Sequence, residues 1–234
     1  ELYRTIAESA PLELTLVLII RPAPPAPWLP KDRHGTPVVL IGACYSGKLE
    51  EGEKIVAPIK SFGTPIGDIL VRRPYTQLQS LLDGANPKGR RCYWKSEYLP
   101  GIEPDLAKKF IEHAAKIQSP YSAATLFQLG GALNSINDDS LLAGNRDARY
   151  VLNLTAAWDH SDADMVNMEW ARQAWADMRQ FSTGGNYINF LSADESPERI
   201  QAALGDGLDR LAKVKAIWDP ENVFRTNRNI KPVG

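Results

Sequence analysis

Residues Tyr150 to Trp158 place Val151, Asn153 and Thr155 on one face of an extended chain and Leu152, Leu154 and Ala156 on the other. A segment with one apolar and one mixed face needs cover on one side only, which predicts an antiparallel sheet with a single covered face. Other segments supply its partners. Residues 12–20 (LELTLVLII) and 37–45 (PVVLIGACY) are short Val-, Ile- and Leu-rich runs bounded by prolines, and both read as strands. Arg91 to Ser96, Ala123 to Leu129 and the short Asn186 to Phe190 are also strand-like. Between the first two runs, five prolines fall within residues 22–30, which stiffens the backbone near polyproline II. A surface connection between neighbouring strands is preferred there over a docking motif for a proline-recognition module.

Helical spacing fills the intervals. Ile55, Val56, Ile59 and Phe62 follow an acidic start from Glu50, and Gly63-Thr64-Pro65 stops that helix. Tyr75 to Leu82 forms a shorter one. Pro104 to Ile117 carries Leu106, Phe110, Ile111, Ala114 and Ile117 on one stripe behind Glu103-Pro104. The longest stripe, Val166, Trp170, Ala174, Met178 and Phe181, follows an N-cap pattern at Ser161 to Asp164 and ends at Thr183-Gly184-Gly185. Ser196-Pro197-Glu198 opens another helix, and Leu208 to Trp218 continues to Asp219-Pro220. Alternating strands and helices without a Gly-x-Gly-x-x-Gly turn, a phosphate loop or an internal repeat make this one α+β domain.

Composition narrows the function. With 27 basic against 28 acidic residues and a net charge of -1, no field attracts a polyanion, which argues against nucleic-acid and membrane-surface partners. No run reaches the ~18 apolar residues that span a bilayer. Without a signal-peptide pattern at Glu1-Leu2-Tyr3-Arg4, a cytoplasmic protein is expected. The beginning of the chain also reads as a piece of something longer. Cys44 and Cys92, 48 positions apart, make neither a disulfide scaffold nor a local zinc site and are expected to be reduced and mostly buried. His34, His113 and His160 lack partners at ligand spacing, so no metal and no histidine-based triad is expected.

Polar aromatics and amides gather at Tyr93-Trp94-Lys95-Ser96, Asn186-Tyr187-Ile188-Asn189 and Asn227-Arg228-Asn229. Their ordinary role is in turns and caps. They also suit the mixed edge and flat face of a heterocycle such as a flavin. The run from Asp209 to Ile230, with Arg210-Leu211, Lys215, Asp219-Pro220, Asn222, Phe224, Asn227 and Asn229-Ile230, resembles the closing signature of berberine bridge enzyme-like flavoprotein oxidases. Gly185-Asn186-Tyr187-Ile188-Asn189-Phe190 is similar to their Tyr-x-Asn-Tyr/Phe strand, and Pro74 to Gln79, Gly130-Gly131 and Arg146-Asp147 fall in the order of the bacterial branch.

The resemblance implies an antiparallel sheet covered by helices on one side, the substrate domain of the FAD-linked oxidase type, over residues 1–182. A berberine-bridge-type segment, 183–234, would return to the flavin. FAD would be held mainly by an N-terminal domain, in the same or another chain, that also carries the tethering His and Cys. Asn227, Asn229 and Asn189 would meet the cofactor, and Gln79, Lys95, Trp94 and Arg146 the substrate. A small organic substrate would lose a hydride to the flavin, with dioxygen as acceptor. The chain departs from the family at Ser135, where many members have an acid or base, at Asn145 in place of His, and at Phe190 in place of a second tyrosine. A base would then be Tyr187 or Tyr93, whose phenol near pKa ~10 would need lowering by Lys95 or an arginine. The same departures keep open a second reading, a non-catalytic remnant that binds a small ligand or a partner. The face meant for the flavin domain would leave the lone chain prone to self-association as a homo-oligomer.

Overall fold

The computed structural model describes residues 1–85, 87–131, 148–192, 194–205, 207–226 and 229–233. Strands β1 (Leu14–Pro22), β2 (Pro37–Tyr45), β3 (Arg91–Leu99), β4 (Ala123–Gln128) and β5 (Tyr150–Trp158) form one antiparallel sheet in the order β2-β1-β4-β5-β3. Helices among the described residues are α1 (Leu2–Glu8), α2 (Leu49–Lys60), α3 (Tyr75–Gln79), α4 (Pro104–Ala114), α5 (Asp164–Met178), α6 (Pro197–Leu204) and α7 (Gly207–Trp218). None of them is long and apolar enough to cross a membrane.

Registers sort the side chains. Leu16, Leu126, Leu152, Leu154 and Leu99 project to one face and pack against Leu106 and Phe110 of α4, Ala174 and Met178 of α5, Tyr3 of α1 and Val56 of α2. Removing each such leucine from water contributes about 2 kcal/mol, so this face holds the core. The N-terminus of α5 is fastened to the sheet by Asp164, which accepts from Arg91 at 2.5 and 2.6 Å and from the Trp158 indole at 2.6 Å.

The hairpin of β1 and β2 extends two residues past the expected end, to Pro22 opposite Pro37. Pro37 is tolerated because β2 is an edge strand whose missing donor disturbs no inner ladder. The proline-rich residues 23–36 connect these neighbours, closed by Ala23 N to Thr36 O at 2.8 Å and Gly35 N to Ala23 O at 2.9 Å.

Three expectations change, and one helix has no counterpart among them. Helix α1 has no capping signal; it is held by the Tyr3 hydroxyl donating to Leu126 O at 3.0 Å and by Gln128 bridging Leu16 N and Ala7 O. The buried stripe of α5 is Asn167, Ala171, Ala174 and Met178, whereas Val166 is exposed; Asn167 is accommodated because its amide donates to Ala163 O at 2.9 Å. Cys92 is exposed and Cys44 half-buried, since both project from the sheet face opposite the core. Asn186 to Phe190 is no strand but ends in a 3-10 turn over Ile188–Phe190, because Gly184 and Gly185, with φ of 84° and 74°, swing the chain across the sheet edge.

Candidate functional site

The face of the sheet away from the core is ordered in rows by strand register. Tyr98, Val151, Phe127 and Val17 lie side by side, then Ser96, Asn153 and Thr125, then Trp94 and Thr155. An aromatic and aliphatic row thus borders a polar but uncharged one. Asn153 accepts from the Thr155 hydroxyl at 2.6 Å and is buried with Ser96 and Thr125, while Trp94, Thr155 and Val17 are half-buried and Phe127 exposed. The Trp94 indole nitrogen is buried without an acceptor among the described residues. Such an unspent donor is costly unless a ligand or water accepts from it.

The segment 182–199 wraps around edge strand β3 and reaches both faces. On the core side, the Glu97 carboxylate, 1% exposed, accepts from Ser182 Oγ at 2.6 Å, Trp175 Nε1 at 2.6 Å and Arg199 Nη1 at 2.7 Å. Lys95 donates to Ser192 Oγ at 3.0 Å, Asp194 Oδ1 at 2.9 Å and Glu195 Oε1 at 3.0 Å. Arg199 closes the cluster on Glu195 Oε2 at 2.6 Å and Ser96 O at 3.1 Å. On the other face, the Ser96 hydroxyl donates to Asn186 Oδ1, and Phe190 packs on Phe127 with ring centroids 5.7 Å apart. Tyr187 meets Phe190 edge-on at 5.2 Å, and its hydroxyl accepts from Asn189 Nδ2 at 2.8 Å.

These contacts set the charges. Burial pushes Asp194 and Glu195 upward, but hydrogen bonds outweigh it: Ser192, Lys95 and Tyr93 hold Asp194 well below the usual carboxylate range, and Lys95 and Arg199 lower Glu195. Burial alone would lower Lys95, yet Asp194 and Glu195 raise it. Tyr93 donates to Asp194 Oδ2 at 2.8 Å and accepts from Arg172 Nε at 3.1 Å. Its phenol is raised, because burial and the bond to Asp194 exceed the lowering by Arg172 and Lys95. The lowered tyrosine expected from Lys95 or an arginine is therefore not found at Tyr93. Tyr98, facing the other side, is pushed by burial up to about 12.

The expected site residues thus divide between two faces. Tyr187, Asn189 and Trp94 belong to the face away from the core. Lys95 and Tyr93 line a groove of about 730 Å³ between α5 and residues 194–199, on the helix side. Gln79 is exposed at the end of α3 and joins none of these hydrogen bonds; Asn229 is exposed near the C-terminus. Arg146 and Asn227, like Ser135 and Asn145, lie outside the described residues. Sequence reasoning passed over Glu97, Arg199, Asn153 and Thr125; only the alternation of β5 marked Asn153 as facing away from the leucines.

The closing signature has a local structural logic. Asp219 accepts from Val223 N at 2.8 Å and Phe224 N at 3.1 Å and pairs with Lys215, which also donates to Phe224 O at 2.6 Å. Asn222 takes the left-handed conformation, φ 52°, that asparagine tolerates well. The turn after α7 is thereby fixed, and it displays Ile217, Trp218, Val223 and Phe224, each mostly exposed. Earlier, Gly131 sits at φ 60° where a Cβ would approach Leu12 O to 2.9 Å, so only glycine fits there.

Sheet order, one-sided helical cover and the anchored C-terminal segment define an α+β domain with helices on one face of an antiparallel sheet. Residues 186–231 match the family described as "Berberine and berberine like". Over most of its length the chain is also similar to FAD-linked oxidoreductases, and its fold is that of solved berberine bridge enzyme-like proteins. It is 26% identical over 198 residues to an FAD-linked oxidoreductase of Dictyostelium discoideum, spanning 83% of this chain and 43% of that protein. Among solved structures, 6-hydroxy-D-nicotine oxidase from Arthrobacter nicotinovorans superposes with a TM-score of 0.73 at 20% identity, covering 98% of this chain and 49% of that one. Berberine bridge enzyme solved with (S)-reticuline gives 0.76 at 15% identity, covering 99% and 51%. The chain therefore spans about half the length of the proteins it matches.

Proposed function

We propose that this chain is the substrate-binding part of an FAD-dependent oxidoreductase, roofing the cofactor with the sheet face that carries Trp94, Asn153, Thr155 and Phe127. The observation that carries the reading is that uncharged, partly open face, with an unspent Trp94 donor and Tyr187, Asn189 and Phe190 held at its margin. Hydrophobic and aromatic walls with a few convergent polar groups are what a small organic ligand needs. These residues fit a flat ring and a neutral substrate stacked beneath the sheet; Asn189, Asn229 and Asn227 are the amides that would meet the ring's polar edge. Bound FAD would supply the hydride acceptor, with dioxygen as the final oxidant.

The chain's own work is to orient the substrate and exclude water. Tyr187, whose oxygen accepts from Asn189 Nδ2, would be the group that hydrogen-bonds a substrate hydroxyl. The FAD-binding half of the protein is the partner for the apolar surface of Ile217, Trp218, Val223 and Phe224. In this reading residues 1–182 form the substrate domain and 183–234 the segment that returns to the flavin.

The test is anaerobic mixing of the full-length flavoprotein with candidate alcohols, sugars and amines while following flavin bleaching. Bleaching by one of them, slowed at least about tenfold by Tyr187→Phe, supports the reading. A full-length protein that carries no flavin colour refutes it and leaves a ligand- or partner-binding domain.

A further inference from the structure

The cluster of Glu97, Lys95, Asp194, Glu195 and Arg199 lies on the helix side of the sheet, yet besides Trp175 and Arg172 of α5 and Tyr93 of β3 its side-chain bonds tie β3 to the segment that serves the opposite side. Ser182 and Arg199, the two ends of that segment, meet on the single buried carboxylate of Glu97. Lys95, two residues earlier on the same strand face, takes three side chains from its second half. Between them, Ser96 points the other way and receives Asn186. Three successive residues of edge strand β3 therefore grip the segment from above, below and across the edge. Thr183 N adds a bond to Tyr98 O at 3.0 Å.

We propose that Lys95 and Glu97 are positioning residues that register the 182–199 segment on the sheet edge and so set where Tyr187, Asn189 and Phe190 stand on the far face. The role these three play in catalysis rests on the function proposed above; the clamp itself does not. Its geometry explains why ionised groups are buried at an edge where apolar side chains would pack as well. A greasy contact would let the segment slide, whereas Glu97 accepts from three donors at fixed angles and admits one register. The Trp175 ring, with Lys95 Nζ at 5.0 Å and the Arg199 and Arg179 guanidinium carbons at 5.1 and 4.8 Å from its centroid, seals the cations from above.

The test uses the chain with 3-fluorotyrosine at position 187 and follows its fluorine resonance together with amide exchange. Glu97→Gln and Lys95→Met are expected to shift or broaden the resonance and to speed exchange over 183–196 by about tenfold or more, while β4 and β5 keep their protection. Ser182→Ala, which removes the bond to Glu97 and the one accepted from Gly184 N and keeps every charge, is the milder variant should either of these fail to fold. It is expected to act in the same direction, and Glu103→Gln, on an exposed residue, to change neither readout. An unmoved resonance in a folded variant overturns the proposal, as does exchange that rises equally in β4, β5 and the segment. Neither readout needs FAD or substrate, so the clamp and the flavoenzyme reading can fail separately.

Discussion

Replacing Lys95 by methionine keeps most of the side-chain volume and deletes one charge. The ammonium is lost from three acceptors, of which the Glu195 carboxylate is 1% exposed and that of Asp194 is 42% exposed. The bond to Asp194 is partly screened by water and contributes little. The bond to Glu195 matters more, since breaking a buried pair strands a charge at a cost of about 3–5 kcal/mol. Arg199 remains 2.6 Å from Glu195, so the lower end applies, about 3 kcal/mol. For a chain of this size that corresponds to a fall in Tm of roughly 6–12 °C.

The loss depends on pH in a definite direction. Asp194 and Glu195 are held below their ordinary values, so their contribution is present above the unfolded pKa near ~4 and disappears as pH falls through the folded value. In the variant that depression weakens, and the gap between the two proteins therefore narrows from pH 7 toward pH 3. Urea melts at both pH values measure it, and an unchanged m confirms that the unfolded state is the same. A stability gap below about 1 kcal/mol at pH 7, or one that widens on acidification, refutes the reasoning.

Three further outcomes are expected. Leu152→Ala, at the centre of the core face, destabilises by about 3 kcal/mol in urea melts, and a loss below about 1 kcal/mol would place Leu152 outside the core. Tyr98, raised to about 12, ionises late in a spectrophotometric titration, and the stability it confers is complete below pH ~10 and lost as pH rises through its folded value. Removing it with Tyr98→Phe should delete a late step and leave the early ones. The lone chain self-associates in sedimentation at high concentration, and Trp218→Ser with Phe224→Ser, at residues 82% and 81% exposed, lowers that tendency; a wild-type monomer at every concentration sinks the idea.

Local chemistry was legible wherever neighbours in sequence settle it. The Leu152, Leu154, Ala156 face of β5 announces an antiparallel strand with helices on one side, because period-two alternation sorts residues between faces whatever the partners are. Ser196-Pro197 opens α6 as read, with Ser196 accepting from Arg199 N, and the signature around Asp219 closes on itself within ten residues. The prolines ending β1 and starting β2 likewise announced a strand pair with a stiff connection.

What the tertiary structure alone decided is which side of the sheet each polar residue serves. Tyr93, Trp94 and Lys95 look like one cluster in sequence, yet strand geometry sends Trp94 to the face proposed for the substrate and the other two to the helices. Glu97 was invisible because its partners lie 78 to 102 positions away, and no window along the chain holds them together. The Asn186 to Phe190 run has the composition of a strand, but two glycines and three successive β3 residues make it cross the edge instead. Propensity acts over a few residues, whereas desolvating a carboxylate demands partners from wherever the chain can supply them, and that demand determined where the tyrosine stands.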